Sequence, residues 1–485
     1  MSSALHLTRC GETPDGLYLE CVALLRSKLI SNPPYVRPSA PRSLAPFDQA
    51  SQKPSFGPNV DRGSPEEFLA WANSQTHPAF APRSRLDDDL EAAIHYVWSN
   101  GSAVVQDREE RLSLLRHVSM LLHPLSLRLA SGACDTARSV ARAMRLNIVR
   151  RTFPTASLDD IAHDDFHFPH FGLWCAFLDA IEWPHTSLVY NMLHGYPSVG
   201  DIPDTGVFRP LEKPASMPGY RFRESNAAWA RQCRGRVLAA AKSDPARALA
   251  CWEKTMDELD SGLISGPFTL SEIEGTGPNG YGFGKSRPLP RFAIWQGKWR
   301  CIDDALAAGS NHDGTSTHET IVCDTADSPM RIGIVFHELG PPPREPRVRV
   351  RMGGSGDDAF AAYRRICTAD EEYTTFMVAA PADALSPGSE LQVLLFKVPG
   401  HNFGLVSAVL NWNATAEAPL RFSRRFFGTC ATRFYDDHQV TEPSYAASSG
   451  QSCHFDLHEI LHFHFDYGKH TLWCLLHKYI GVFTD

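Results

Sequence analysis

No Cys-x-x-Cys pair occurs in the 485 residues, although 12 cysteines are scattered through them. That absence argues against a zinc knuckle and gives no sign of a disulfide framework, so the thiols are expected to be reduced. No apolar run approaches the ~18 residues needed to span a bilayer. The opening stretch from Met1 to Ile30 lacks a basic region followed by an uninterrupted apolar core, so no signal peptide is read there. The expectation is an intracellular protein, nuclear or cytoplasmic, with no membrane contact. An excess of positive charge is missing too. The formal net charge of -8 counts against a polyanionic partner, because phosphate binding needs local Lys and Arg. What remains, 43% hydrophobic and 21% charged, is the composition of an ordinary globular chain, long enough for about two to four domains.

The distribution of the positive charge answers the net figure. Lys285, Arg287, Arg291, Lys298 and Arg300 form a run with no acid among them, followed by Arg344, Arg347, Arg349 and Arg351, then by Arg421, Arg424, Arg425 and Arg433. Each run alone reads as well as a solvated face. Three runs around one acidic centre favour a path for a polyanion.

Taken in order, residues 1–63 read as a tail and a Pro/Ser-rich linker, largely disordered, because the stretch from Asn32 to Asn59 has no apolar periodicity. Residues 64–160 read as a helical module without an assignable role. Ser64-Pro65-Glu66-Glu67 supplies a cap, a first-turn proline and a capping-box glutamate, and apolar spacing predicts helices near 86–100, 110–122 and 135–149. Residues 161–244 form an aromatic, His-rich helical segment, with His167, His170, Trp174, Phe177, Trp183, His185 and Tyr190 in its first part. Such density suits a base-stacking surface and suits core packing under a helix at 171–181 better, since aromatic rings bury large apolar areas. Further helices are predicted at 226–242 and 245–259.

The most informative stretch is Arg433-Phe434-Tyr435-Asp436-Asp437-His438, which lies between two short runs rich in β-branched and aromatic residues and reads as a hairpin tip. An Asp-Asp pair in a turn is usually a solvated loop. Here it has company. Asp358 lies upstream with Tyr363 five residues on, and Phe403-Gly404-Leu405-Val406-Ser407 stands between them.

This ordered set resembles the palm of retroelement reverse transcriptases that carry a Phe-x-Asp-Asp tip. Asp358 and Tyr363 match the first palm motif, Phe403, Gly404 and Ser407 the second, and Phe434, Asp436 and Asp437 the third. Phe292-Ala293-Ile294 and the segment from Lys298 to Asp304 look like fingers motifs, with Asn311 beyond, and Tyr479-Ile480-Gly481-Val482 looks like the hairpin that closes the palm. The resemblance covers residues 245–485. It implies an α+β fold, a polymerase palm of antiparallel sheet backed by helices, with fingers but no thumb, behind a mainly helical N-terminal region. It implies template-directed DNA synthesis by two-metal nucleotidyl transfer, with an RNA or DNA template and primer and deoxynucleoside triphosphates as partners. Asp358, Asp436 and Asp437 would bind Mg2+, with Mn2+ as a substitute. Lys298 and Arg300 would lie over the triphosphate, Tyr363 under the sugar as a gate against the 2′-hydroxyl, Phe403 and Gly404 beside the base, and Lys469 would protonate the leaving group. Oligomeric state is not read from the sequence.

The electrostatics agree with a metal requirement. At ~4 Å and an effective dielectric near 20, each like-charged carboxylate pair repels by roughly 4 kcal/mol, so three cannot all stay ionised without a cation. The chain also departs from the family pattern. Gly353-Gly354-Ser355-Gly356-Asp357 stands where the family has an apolar strand end, which leaves Asp357 as a second candidate for the role of Asp358. Val398-Pro399-Gly400-His401-Asn402 holds an insertion before Phe403. A catalytically inert remnant that binds nucleic acid is therefore an alternative.

Two other motifs compete. Gly275-Thr276-Gly277-Pro278-Asn279-Gly280 has dinucleotide-loop spacing but no preceding apolar strand, and together with Gly284-Lys285-Ser286 it reads as a mobile glycine-rich loop of the fingers. His458-Glu459-Ile460-Leu461-His462 fits a zinc-hydrolase helix, with two His one turn apart and Glu459 as base. A third ligand is required, and the extended form of the motif would need Gly at 465, where Phe465 stands.

Overall fold

The computed structural model describes residues 14–37, 86–131, 169–325, 328–475, 477–479 and 482–484. Most of the expected linker, the cap at Ser64, the helix at 135–149 and His167 lie outside the described residues.

Helices open the chain at Pro14–Ser27, Asp88–Asn100, Ala103–Ser131 and Phe171–Ala180. The second starts where Asp87 accepts a hydrogen bond from the Leu90 amide at 2.9 Å and stops at Gly101, whose φ of 57° suits glycine. The third runs well past the 110–122 expected. β1 (Gly200–Asp201) and β2 (Arg209–Lys213) follow, then helices Asn226–Ser243 and Pro245–Asp260. Asp244 caps the latter through the Arg247 amide at 3.0 Å with Pro245 in the first turn.

The remaining strands are β3 (Ser265–Phe268), β4 (Leu289–Trp295), β5 (Trp299–Asp303), β6 (Thr315–Thr320), β7 (Met352–Asp358), β8 (Phe376–Ala380) and β9 (Gln392–Lys397). Helix Val406–Phe422 continues into a π-helical turn, Ser423–Phe427. Then come β10 (Ala431–Phe434), β11 (Asp437–Pro443), helix Ser449–Ile460, β12 (Thr471–Cys474), β13 (His477–Tyr479) and β14 (Val482–Thr484). The fold is mixed α+β. One sheet has the order β3-β9-β8-β4-β5, antiparallel except where β4 meets β8. A second, β10-β11-β7-β12, is wholly antiparallel. A third, β1-β6-β2, is mixed. β13 and β14 pair as a hairpin with Tyr479 opposite Val482.

Two large cores support these sheets. Helices 226–243 and 245–260 bury Trp229, Cys233, Cys251 and Trp252 against Phe376, Val378, Leu395 and Phe396 of the five-stranded sheet. The other core joins the N-terminal helices to the region of the four-stranded sheet, with Trp174, Phe177, Trp412, Phe422 and Phe463 at its centre. The aromatic segment is thus mainly core: Trp174 is fully buried and its indole N–H donates to the Leu461 carbonyl at 3.2 Å. The glycine-rich loop, read as mobile, is pinned by backbone bonds from Tyr281 to Ile273 at 2.8 Å and from Gly282 to Gly275 at 3.1 Å.

The last arginine run does not line a polyanion path. Arg424, Arg425 and Arg433 are buried, and with Arg421 they form ion pairs inside the protein, several of them to acids distant in sequence. Arg424 reaches Asp87 at 2.7 Å and Asp324 at 2.9 Å, Arg425 reaches Asp89 at 2.8 Å, and Arg421 and Arg433 both hold Glu417 at 2.8 Å. The aspartates at the start of helix 88–100 thereby clamp it to the π turn. Arg287 and Arg291 are buried as well, whereas Lys285, Lys298, Arg300, Arg344, Arg347, Arg349 and Arg351 stay exposed.

Candidate functional site

Successive residues of a strand face opposite sides of its sheet, and this separates the two acids that end β7. Asp358 lies opposite Asp437 in the β7–β11 pairing, and Asp357 lies opposite His438. Asp357 is buried, accepting from His470 Nδ1 at 2.5 Å and from Gln451 Nε2 at 3.4 Å. Asp358 shares a hydrogen bond with the Asp437 carboxyl. The side chain with the five-residue spacing to Tyr363 is therefore the one on the acidic face.

The hairpin forms where its sequence suggests, with Phe434 opposite Asp437 and Tyr435-Asp436 as the turn. Tyr435 has a φ of 57°, a left-handed conformation that costs a bulky residue energy and persists only when its surroundings hold it. Three bonds do so. The Tyr435 carbonyl accepts from the Trp412 indole at 3.1 Å and from Arg433 Nη1 at 2.8 Å, and the Asp436 carbonyl accepts from the Ala359 amide at 2.8 Å. The turn is thus fastened both to the helix beneath and to the end of β7.

The acids crowd one another. Burial, then Asp436 and Asp358, push the Asp437 carboxyl up to about 6. Burial and Asp358 also raise Asp436. Lys469, exposed, donates from Nζ to Asp358 Oδ1 at 2.6 Å and lies 4.0 Å from Asp466. The position beside Asp358 therefore already attracts a cation, and three half-buried carboxyls of this kind are hard oxygen donors that fit Mg2+.

Tyr363 is half-buried, its ring 5.5 Å from Phe403 and 6.4 Å from Trp412, and it packs against both large cores. Phe403 is about half exposed. Gly404 has a φ of 120°, and a Cβ there would lie 2.4 Å from the Asp303 carbonyl oxygen. The glycine thus has a structural cause of its own. Lys298 and Arg300 stand on the other sheet, at and just after the β4–β5 turn, both exposed; among the described ion pairs, the one that reaches Asp358 comes from Lys469.

Sequence reading missed Asp303 as an organising residue. Its buried carboxylate takes Arg291 at 2.7 and 3.1 Å, Arg364 at 3.1 Å and Asn402 at 3.0 Å. Burial alone would raise its pKa, but Arg291 and Arg364 hold it at about 2. Its partners are as much as 99 residues away, so no local pattern signals it.

The zinc-hydrolase helix is corrected by the same geometry. The helix ends at Ile460 and His462 has a φ of 54°, outside it, so His458 and His462 do not share a helical face. His458 instead meets His438 and His454. No helix among the described residues is long and apolar enough to cross a membrane. Searches of the sequence against protein-family models and against curated proteins give no match.

Proposed function

We propose that this chain is a template-directed nucleotidyl transferase of the reverse-transcriptase kind, with residues 245–485 as fingers and palm. The pairing of Asp358 with Asp437 across adjacent antiparallel strands, with Asp436 in the turn beside them, carries this reading. Burial and their acidic neighbours raise both Asp436 and Asp437, so a cation is needed for the cluster to ionise together near neutral pH.

Asp358, Asp436 and Asp437 would hold Mg2+, which supplies charge neutralisation and polarisation of the phosphate undergoing transfer. The chain's own residues do the rest. Tyr363, wedged between Phe403 and Trp412, is set as a rigid floor under the deoxyribose and closes the space a 2′-hydroxyl would need. Phe403 offers a half-exposed ring beside it. The Lys469 ammonium, hydrogen-bonded to Asp358, would give its proton to the departing pyrophosphate oxygen. Lys298 and Arg300, exposed on the second sheet, would meet the triphosphate when that sheet approaches the acids, where a guanidinium pairs bidentately with phosphate oxygens.

The test is extension of a DNA primer on an RNA template with Mg2+ or Mn2+. Activity abolished by Asp436→Asn is expected, and equal activity in that variant would sink the assignment. One observation favours the second reading, an inert nucleic-acid-binding remnant: the arginines 421–433 are used up inside the protein, which leaves fewer cations for a duplex. That reading expects primer-template to be bound, with no extension under either metal.

A further inference from the structure

Beneath the acidic hairpin, three fully buried histidines converge from two elements. His438 comes from β11, one residue beyond Asp437, and His454 and His458 lie one turn apart on helix 449–460. One ring nitrogen from each lies within 4.8 Å of the others. Ring centroids are 4.5 Å apart for His454 and His458, 5.2 Å for His438 and His454, and 5.4 Å for His438 and His458.

Their hydrogen bonds turn one nitrogen of each ring toward the others. His458 Nδ1 lies 2.8 Å from the His454 carbonyl, an acceptor, so that nitrogen carries the proton and Nε2 carries a lone pair. This buried Nε2 has no hydrogen-bond partner among the described residues, an arrangement that ordinarily costs stability. His454 Nδ1 sits 3.0 Å from the Ser423 hydroxyl, and its Nε2 lies 3.0 Å from His438 Nδ1, a ring-to-ring hydrogen bond whose one proton a metal would displace. A ring N–H given to a backbone carbonyl or a hydroxyl, with the other nitrogen turned inward, is how metal-binding histidines are oriented. Burial lowers the pKa of all three rings, helped by the neighbouring histidines at His438 and His454 and by Arg365 at His458.

We infer that His438, His454 and His458 form a structural site for a zinc-class transition-metal ion, separate from the carboxylate site and different from it in ligand chemistry. An all-imidazole set suits Zn2+, Co2+, Ni2+ or Cu2+ and is poor for Mg2+. Tetrahedral Zn–N bonds of about 2.0–2.1 Å put nitrogens roughly 3.4 Å apart, so nitrogens that lie within 4.8 Å of one another need to close by at most about 1.4 Å. Phe465 lies 4.3–5.6 Å from all three rings and shields the site. Nearby positive charge sets one further requirement. Arg365 and Arg433 face His438, Arg424 faces His454, and Arg365 faces His458 with Glu459 close by. The fourth position must therefore hold an anion, hydroxide or chloride, and Arg365, whose buried Nε and Nη1 have no partner among the described residues, can neutralise it. The ion would tie helix 449–460 to the strand that carries Asp437.

The experiment measures metal content and does not depend on polymerase activity. The full chain is produced with zinc supplied, dialysed against a weak chelator with excess Mg2+ present to occupy the carboxylates, and assayed for zinc per chain. Wild type should retain one equivalent. His458→Phe, a substitution of similar volume that removes only the ring with the unpartnered nitrogen, should lose it by at least roughly tenfold in affinity, since even outer partners of a ligand are worth about 10–100-fold. If that variant fails to fold, cobalt-loaded wild type decides, by the intense visible bands of four-coordinate Co2+. Wild type without zinc and without those bands overturns the inference, and so does zinc retained in folded His458→Phe.

Discussion

Asp437→Asn should make the free protein more stable near neutral pH while removing its activity. A carboxyl with a raised native pKa binds more protons in the folded than in the unfolded state between the two values. Stability therefore falls as pH rises through that window, and the deficit is complete above it. For Asp437 the window runs from 3.8 to about 6. Taken at face value, a shift of that size corresponds to about 3 kcal/mol. Because the carboxyl is only half-buried, solvent screens it, and roughly 1 kcal/mol is the figure to expect. Asparagine keeps a donor toward Asp358 and carries no charge. In urea unfolding at about pH 7.5 the variant should then be more stable than wild type by ~1 kcal/mol, with the gain fading by about pH 4, where wild-type Asp437 is protonated. Added Mg2+ should raise the wild-type midpoint and leave the variant's nearly unchanged, since binding to the native state alone stabilises it. A variant less stable at both pH values, or a gain independent of pH, would refute the crowding of charge on which the proposed metal site rests.

Asp358→Asn should abolish primer extension with little loss of stability, whereas Asp357→Asn, on the buried face with His470, should shift the thermal midpoint more than the activity; the reverse order would exchange their roles. Gly404→Ala, forced into a positive φ with its Cβ against the Asp303 carbonyl, should cost about 2 kcal/mol or more in denaturant unfolding, and a neutral result would mean the loop relaxes freely. Glu442→Ala leaves Arg108 buried and unpaired where the two now meet at 2.5 Å, and a loss of about 3–5 kcal/mol is expected; a loss under about 1 kcal/mol would show that water reaches Arg108. Tyr363→Ala should admit ribonucleotides, read as the ratio of ribonucleotide to deoxynucleotide incorporation, and an unchanged ratio would argue against a gate there.

The sequence was most legible where structure is local. Helices 226–243 and 245–260 form within one residue of the predicted 226–242 and 245–259, and the structure shows the second capped by Asp244 with Pro245 in its first turn. The hairpin at Asp436 follows from its flanking runs. Long-range pairing was not legible. Arg424 and Asp87 are 337 residues apart, so the arginine run looked unpaired and was read as a surface path. The His454–His458 spacing is visible on a helix, but the third ring arrives from a strand on the far side of a turn, and the chemically louder His458–His462 pair drew the reading instead. That helix was expected to reach His462 and ends at Ile460, because nothing in its composition marks the stop.

The junction at Asp303 carries a consequence for how such a sequence can change over generations. One carboxylate is shared by Arg291 in β4, by Arg364 directly after Tyr363, and by Asn402 directly before Phe403, while its carbonyl presses on the position of Gly404. A single replacement among these strands a buried charge or forces a side chain into occupied space. Neutral drift is therefore closed to each position taken singly, and these residues should be inherited as a block, replaced together or not at all. The exposed cations at 344–351, which form no ion pair among the described residues, are free to wander in number and position, so divergence between two descendants of this chain would accumulate there first.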